Sequence, residues 1–362
     1  MQTKIIKFDP AKDDAKKLEP AAQALRAGEV VCFPTETVYG LGAVWDDFDA
    51  VEDIFKIKGR PQDNPLITHV ASIEEMKDYF LFWDEIADCL TKAFCPGPFT
   101  LIMPKAKSVN SPVTAGLNTI GVRIPINKAA HELIKLVGTG IAAPSANISG
   151  KPSPTNAQDA YEDLANKVPY IIDAGASKVG VESSIVSWDG KHLELLRPGA
   201  VSAQDINDVL KENNIDLKIS EKTVVLKADE HPKAPGMKYR HYAPNANVHI
   251  IEGNDLEEKC NNLSKAIDED AKNKAYKPAL FVSEALFKNV EKTELINKLK
   301  SLNYELIVFS DFESAKAGAH GLFSAFRKFD RLKASDIYVE AIPETGVGAA
   351  YMNRLRKASS KK

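Results

Sequence analysis

The rhythm of apolar segments changes once along the chain, and that change limits the fold more than any other feature. From about residue 247, four short apolar runs (VHIIEG, PALFVS, YELIVFS and DIYVEAI) alternate with stretches of helical pattern at 256–275, 285–302 and 312–333. Strands that take turns with helices are joined by crossovers and therefore run parallel. The expectation for 247–350 is a small Rossmann-like parallel-sheet domain. Its glycines make no dinucleotide fingerprint, because Gly346-Val347-Gly348 follows the last strand with no acidic partner strand behind it. The tail KASSKK is expected to fray.

No such beat exists before about residue 225. Helical patterns at 20–27, 49–58, 85–94, 131–137, 156–167 and 203–212 mix irregularly with the extended runs VVCFPT, PLITHVA, FTLIMPK, TIGVRIPI, GIAAPSAN and YIIDAG. Asp189-Gly190 is a turn dipeptide between two alternating strands, so SSIVSWDGKHLELLRPG predicts a hairpin. Hairpins in mixed order predict a twisted α+β mixed sheet over 1–225, within an α/β chain overall. Two domains also suit 362 residues at about 150 per domain. The segment 226–246 between them is rich in Pro, Gly, Tyr and cationic residues. It reads either as a spacer or, with Tyr239 and Tyr242 interleaved among Lys238, Arg240 and His241, as a segment suited to stacking on a base and touching phosphate.

Charge then narrows the function. Lys+Arg 47 against Asp+Glu 50 leaves a net charge of −3, so no global basic field draws the protein to nucleic acid or membrane. No apolar run approaches the ~18 residues of a membrane span, and the N-terminus lacks the apolar core of a signal peptide. Cys32, Cys89, Cys95 and Cys260 form no C-x-x-C pair, and no H-E-x-x-H is present. A reduced, cytoplasmic protein with a buried Cys32 thiol is expected.

Walker A, G-x-S-x-G and kinase-loop sequences are missing, so chemistry must come from polar residues at the ends of apolar segments. In PTETVYGLG, Thr35 and Thr37 either cap a helix or hold a small polar ligand. Lys58 and Arg60 flank Gly59 at a helix end, with Asn64 and His69 close behind; they either complement the helix dipole or recognise an anion. Arg123, inside the β-branched TIGVRIPI, and Arg197, in ELLRPG, each need a partner, because a buried unpaired charge costs several kcal/mol. PSANISGKPSPT sets Ser145, Asn147, Ser149, Ser153 and Thr155 among prolines around Gly150, which makes either a surface loop or a phosphate cradle. Ser183 and Ser184 open another strand. Taken together, these residues fit a concave site for a polyanion and a small polar molecule.

Lys58-Gly59-Arg60 with Ser145-Ala146-Asn147 resembles the Lys-x-Arg … Ser-x-Asn tetrad of the YrdC-type proteins. PTETVYGLG, PGPFTL, GVRIP, PSANISG and LLRPG match in the same order over nearly all of the first ~215 residues. PGMKYRHYAP and the domain after it resemble the long form of the threonylcarbamoyl-AMP synthase family. The resemblance implies that L-threonine, bicarbonate and ATP, with Mg²⁺, give threonylcarbamoyl-AMP and pyrophosphate for the t6A modification at tRNA position 37. It implies that Thr37, His69, Arg123, Ala143 and Ser183 surround threonine. Arg60, Asn64, Thr119, Ser145, Ser153 and Arg197 would face ATP, Lys58 and Asn147 would complete the anion cradle, and Tyr239 and Tyr242 would close over the nucleotide. Implied partners are a downstream t6A transferase machinery and tRNA. A double-stranded RNA-binding or ribosome-associated module is the alternative, and predicts salt-sensitive RNA affinity without pyrophosphate release. Carbamoyl transfer to another adenylate would call for an acylphosphatase-like segment and zinc-finger cysteines, which the sequence lacks.

Overall fold

The computed structural model describes the whole chain except residues 1, 13, 221–231, 238–240, 273–275 and 361–362. It forms two compact units: Met1–Ser149 with Ser153–Tyr239, and Gly150–Pro152 with Arg240–Lys362.

The first unit runs β1 (Lys4–Lys7), α1 (Glu19–Arg26), β2 (Val31–Phe33), β3 (Gly40–Val44), α2 (Phe48–Lys58), β4 (Ile67–His69), α3 (Ile73–Lys77), α4 (Glu85–Phe94), β5 (Phe99–Pro104), β6 (Thr119–Arg123), α5 (Lys128–Val137), β7 (Ile141–Ala142), α6 (Ala157–Leu164), β8 (Tyr170–Asp173), β9 (Ser184–Trp188), β10 (Leu193–Arg197) and α7 (Ala203–Glu212). The strands form one sheet in the order β1-β8-β2-β3-β7-β4-β6-β5-β9-β10. Parallel pairs such as β4 with β6 stand beside antiparallel ones such as β5 with β6, so the sheet is mixed, as expected. The β9–β10 hairpin pairs Trp188 with Leu193 around Asp189-Gly190.

Asp47, Asp84, Asn127, Asn156 and Ser202 each accept a backbone N–H at the start of their helix. Asn127 starts α5 earlier than the apolar pattern alone suggests, because its side chain takes the Ala129 and Ala130 N–H groups. Two apolar clusters sandwich the sheet. Val31 and Phe33 enter one and Cys32 the other, as strand alternation requires. Full burial of a side chain such as Phe33 contributes about 1.5–3 kcal/mol. A third cluster joins Ile67, Ile102, Ile185 and Leu196 to Ala234, with Met237 against it. Residues 232–237, read from sequence as part of a separate linker, thus belong to the first unit and cover apolar sheet residues.

The second unit runs β11 (Asn247–Ile251), α8 (Leu256–Asp270), β12 (Pro278–Ser283), α9 (Glu284–Val290), α10 (Leu295–Ser301), β13 (Glu305–Phe309), α11 (Ser314–Arg331), β14 (Asp336–Glu340) and α12 (Val347–Ser359). Its sheet order is β11-β14-β12-β13 with parallel pairs throughout, the Rossmann-like arrangement expected. The stretch 285–302 is two helices, because the Thr293 hydroxyl bonds the Val290 carbonyl where α9 ends. The domain extends past 350, and Lys357, Ala358 and Ser359 of KASSKK belong to α12. α12 buries Tyr351, Met352, Leu355 and Ala358, and the fully buried Arg354 disguises that stripe in sequence.

The usual ligand crevice of an open parallel sheet lies at the strands' carboxyl ends. Here β12 and β14 are tied together at that end: Ser283 N–H donates to Glu340 Oε2 at 2.7 Å, and Lys259 Nζ donates to Oε1 at 2.8 Å. This unit also takes in Gly150–Pro152. Arg327 Nε and Nη2 donate to the Pro152 carbonyl at 3.1 and 2.7 Å, and Ala243 N–H donates to that of Gly150 at 2.8 Å. Among the described residues, no helix is long and apolar enough to cross a membrane.

Candidate active site

Strand register gathers the first group of side chains in the first unit. His69 at the end of β4 lies opposite Arg123 at the end of β6. Both are buried, and Arg123 meets the β2–β3 loop: its Nη1 donates to Thr37 Oγ1 at 2.9 Å, its Nη2 pairs with Glu36 Oε1, and its Nε reaches the Gly97 carbonyl at 3.3 Å. Thr37 and Thr35 share a hydroxyl hydrogen bond of 2.8 Å. The partner that Arg123 requires is therefore Glu36. Burial first, and then the Arg123 charge, lower the His69 pKa to about 3, so the ring is neutral. Its Nδ1 and the Oε2 of Glu36 are buried without a hydrogen-bond partner among the described residues.

A second group surrounds Ser183. Its hydroxyl meets that of Thr100 at 2.8 Å, while Arg197 donates from Nε and Nη2 to its carbonyl at 3.1 and 3.0 Å and from Nη2 to its Oγ at 3.1 Å. Gly199 allows this closeness, since a Cβ there would lie 2.2 Å from the Ser184 nitrogen. Arg197 Nη1 also donates to the Pro235 carbonyl at 3.2 Å, fastening the 232–237 segment beside this group. Thr119 lines a small cavity with Ile67, Gly121, Lys233 and Pro235.

The third group is the loop after β7. Lys58 is 1% exposed, and its ammonium donates to the carbonyls of Ser145 and Asn147. Gly59, at φ +60°, lets α2 end in the left-handed turn that separates Lys58 from Arg60. Arg60 arches back over its own loop, donating to the Asn64 and Pro65 carbonyls at 3.3 and 3.0 Å, and buried Asn64 leaves Oδ1 unpartnered. Ser145 Oγ donates to Asn147 Oδ1 at 2.5 Å, and Ser153 Oγ to Glu182 Oε1 at 2.6 Å. Ala143 lies against Gly40 and contributes its N–H to the Ile67 carbonyl at 2.9 Å, so it brings no side-chain chemistry.

Comparison with known proteins decides the family. Residues 23–199 match the family model described as "Telomere recombination", and 201–360 match "Threonylcarbamoyl-AMP synthase, C-terminal domain". The chain is 41% identical to the threonylcarbamoyl-AMP synthase of Pyrococcus abyssi, over 95% of this chain and 94% of that one. The Bacillus subtilis enzyme of the same name is 40% identical over 95% and 93% of the two chains. The crystal structure of Pyrococcus abyssi Sua5 complexed with L-threonine superposes with a TM-score of 0.84 at 38% identity, over 99% of this chain and 98% of that one. The chain belongs to the threonylcarbamoyl-AMP synthase family.

Thirteen of the fifteen family-type site residues lie in the three first-unit groups just described. Tyr242 does not. It is buried in the second unit with φ +69°, its ring stacked 5.1 Å from Phe323 and 5.8 Å from the Arg354 guanidinium. Its ring is packed in the core of that unit. Tyr239 lies outside the described residues. Sequence reading passed over Glu36, Thr100 and Glu182; the available signal for Glu36 was a lone acid between two threonines in a short loop joining apolar strands. Cys32 is buried and its thiol is pushed up by burial, so it is inert. The described residues hold one potential metal-ligating group, His249, Asp270 and Asp336 of the second unit, already engaged with one another and with Tyr338.

Proposed function

We propose that this protein is an L-threonylcarbamoyladenylate synthase, a nucleotidyl-transferring enzyme that makes threonylcarbamoyl-AMP and pyrophosphate from L-threonine, bicarbonate and ATP for t6A modification of tRNA. The observation that carries the reading is Arg123, buried beside Thr37 and neutral His69, in a chain whose family relative was solved with L-threonine. Arg123 suits the amino acid's carboxylate, and Arg60, Asn64, Thr119, Ser145, Ser153 and Arg197 suit the nucleotide. Lys58 acts by shaping the Ser145–Asn147 turn through its two carbonyl contacts.

The chemistry needs charge neutralisation and positioning. The carbamate oxygen attacks the α-phosphorus, a P–O bond forms, and the bond to the β-phosphate oxygen breaks to release pyrophosphate. No covalent nucleophile is needed, which suits a Ser145 hydroxyl that is bonded to Asn147 rather than to a base. Mg²⁺ ordinarily takes one or two carboxylates together with substrate phosphates, and Glu182, bonded to Ser153, fits that role; the ion would screen the phosphate charge. Transfer of the product to a t6A transferase, contact with tRNA, and a cytoplasmic location belong to the same reading.

The deciding experiment measures pyrophosphate release with each amino acid, with and without bicarbonate. Release should require ATP, bicarbonate and threonine together, with serine poorer because one methyl contact is worth about 1–3 kcal/mol. Equal turnover with alanine would overturn the threonine assignment.

A further inference from the structure

We propose that Glu36 is a catalytic residue that receives the ammonium group of the amino-acid substrate at Oε2 and takes its proton. The proposal rests on the functional reading above and deepens it at one atom. Glu36 is 4% exposed and its two oxygens differ: Oε1 is paired with Arg123, whereas Oε2 has no hydrogen-bond partner among the described residues. A buried carboxylate oxygen without a donor is penalised, and a ligand that brings an N–H removes the penalty.

The neighbours say which ligand fits. Thr37, His69 and Arg123 are the side chains suited to an amino acid, and Glu36 is held to Arg123 directly. A zwitterion carries a carboxylate and an ammonium, so a site built for it needs one group of each sign. Arg123 offers the positive one with two of its five N–H bonds still unused by Glu36, Thr37 and Gly97. Glu36 offers the negative one.

The reaction also requires a proton acceptor. α-Amino groups hold their proton below about pH 8 and cannot attack carbon dioxide in that form. In the overall step the ammonium and bicarbonate give carbamate, water and one proton. Glu36 Oε2 takes one ammonium proton, and the freed nitrogen lone pair forms the N–C bond as the C–OH bond of bicarbonate breaks. The second N–H proton leaves with that hydroxide as water, and the carboxylate passes its own proton to solvent on product release. The other titratable groups facing Glu36 are silent over the working range. His69 on β4 stays neutral, the Cys95 thiol before β5 is pushed up to about 12 by burial, and the Arg123 guanidinium on β6 is bonded to Glu36 Oε1 directly.

The test is the pH profile of pyrophosphate release by the full chain carrying Glu36→Gln. About a 100-fold loss of kcat/KM for threonine is expected near pH 7, a size typical of general-base removal. The deficit should shrink as the pH rises and free amine appears in solution, while the KM for ATP stays unchanged. Recovery at high pH also shows that the variant is folded. A deficit constant across pH would mean that Glu36 merely holds Arg123, and a wild-type rate would mean that it does nothing; either overturns the proposal. Should Glu36→Gln fail to fold, Glu36→Asp replaces it: a kept carboxylate should keep the wild-type profile shape, and a pH-rescued profile would refute the assignment. A wild-type chain that releases no pyrophosphate with threonine and bicarbonate would instead refute the functional reading, and the role of Glu36 with it.

Discussion

Lys58→Met tests what the buried ammonium does. Methionine keeps the unbranched stem and removes the charge, so the apolar packing around the stem survives. Two hydrogen bonds disappear, to the Ser145 and Asn147 carbonyls. Bonds from a charged donor are worth about 1.5–3 kcal/mol each. Against that, the variant no longer has to desolvate an ammonium that is 1% exposed, which returns part of several kcal/mol. The net loss should be about 2–3 kcal/mol. In a unit of this size each kcal/mol moves the melting midpoint by about 2–4 °C, so a drop of about 4–12 °C is expected. Pyrophosphate release should fall with it, because Ser145 and Asn147 lose the geometry that Lys58 imposes on their turn. Calorimetry and the release assay on the same preparation read both effects. An unchanged midpoint with ATP affinity alone reduced would refute the reasoning, since the ammonium would then act on phosphate and not on the loop.

Arg123→Ala should weaken threonine far more than ATP and Arg60→Ala the reverse, each by roughly 1.5–3 kcal/mol in titration calorimetry; losing both ligands alike would cancel the division of labour. Because folded His69 resists protonation down to about pH 3, the unfolded chain binds the extra proton and stability falls as the pH drops below about 6.5. The melting midpoint of His69→Phe should therefore decline less steeply than wild type between about pH 6.5 and 4.5, and equal slopes would exclude a neutral His69. The 232–237 segment, fastened through Ala234 and the Arg197 contact to Pro235, should slow its hydrogen exchange when ATP and threonine are both bound. Cutting the chain near Ala228 should leave a folded first unit with poor synthesis, whereas unchanged exchange together with full activity would reduce the segment to a spacer.

Much of the fold was legible because its signals are local. Period-2 runs became strands, Asp189-Gly190 became the hairpin turn, and capping residues such as Asn156 mark helix starts within a residue or two. The regular beat after 247 translated directly into a parallel sheet, because each strand there is joined to the next by helix. The last helix escaped notice because its apolar stripe contains Arg354, buried at 0% exposure in a way that no local pattern signals. Tyr242 shows the same limit: its aromatic and cationic sequence neighbours do not announce that its ring stacks on Phe323, 81 residues further on.

The same division holds at the site. Sequence by itself determined that Lys58 and Arg60 lie at a helix end and that Arg123 and Arg197 sit in apolar strand segments and need partners, since side-chain identity and local pattern are properties of short stretches. That β6 ends at Arg123 is a finding of the structure. Only the tertiary structure decided that Arg123 pairs with Glu36, 87 residues away, and that Lys58 serves carbonyls 87 and 89 residues distant. Such pairings depend on a sheet order in which β4 lies beside β6 and β5 beside β9, so neighbours in space are set by crossovers and not by spacing. An unpartnered oxygen such as Glu36 Oε2 is a fact about everything that surrounds it, and it exists only once the chain has closed around it.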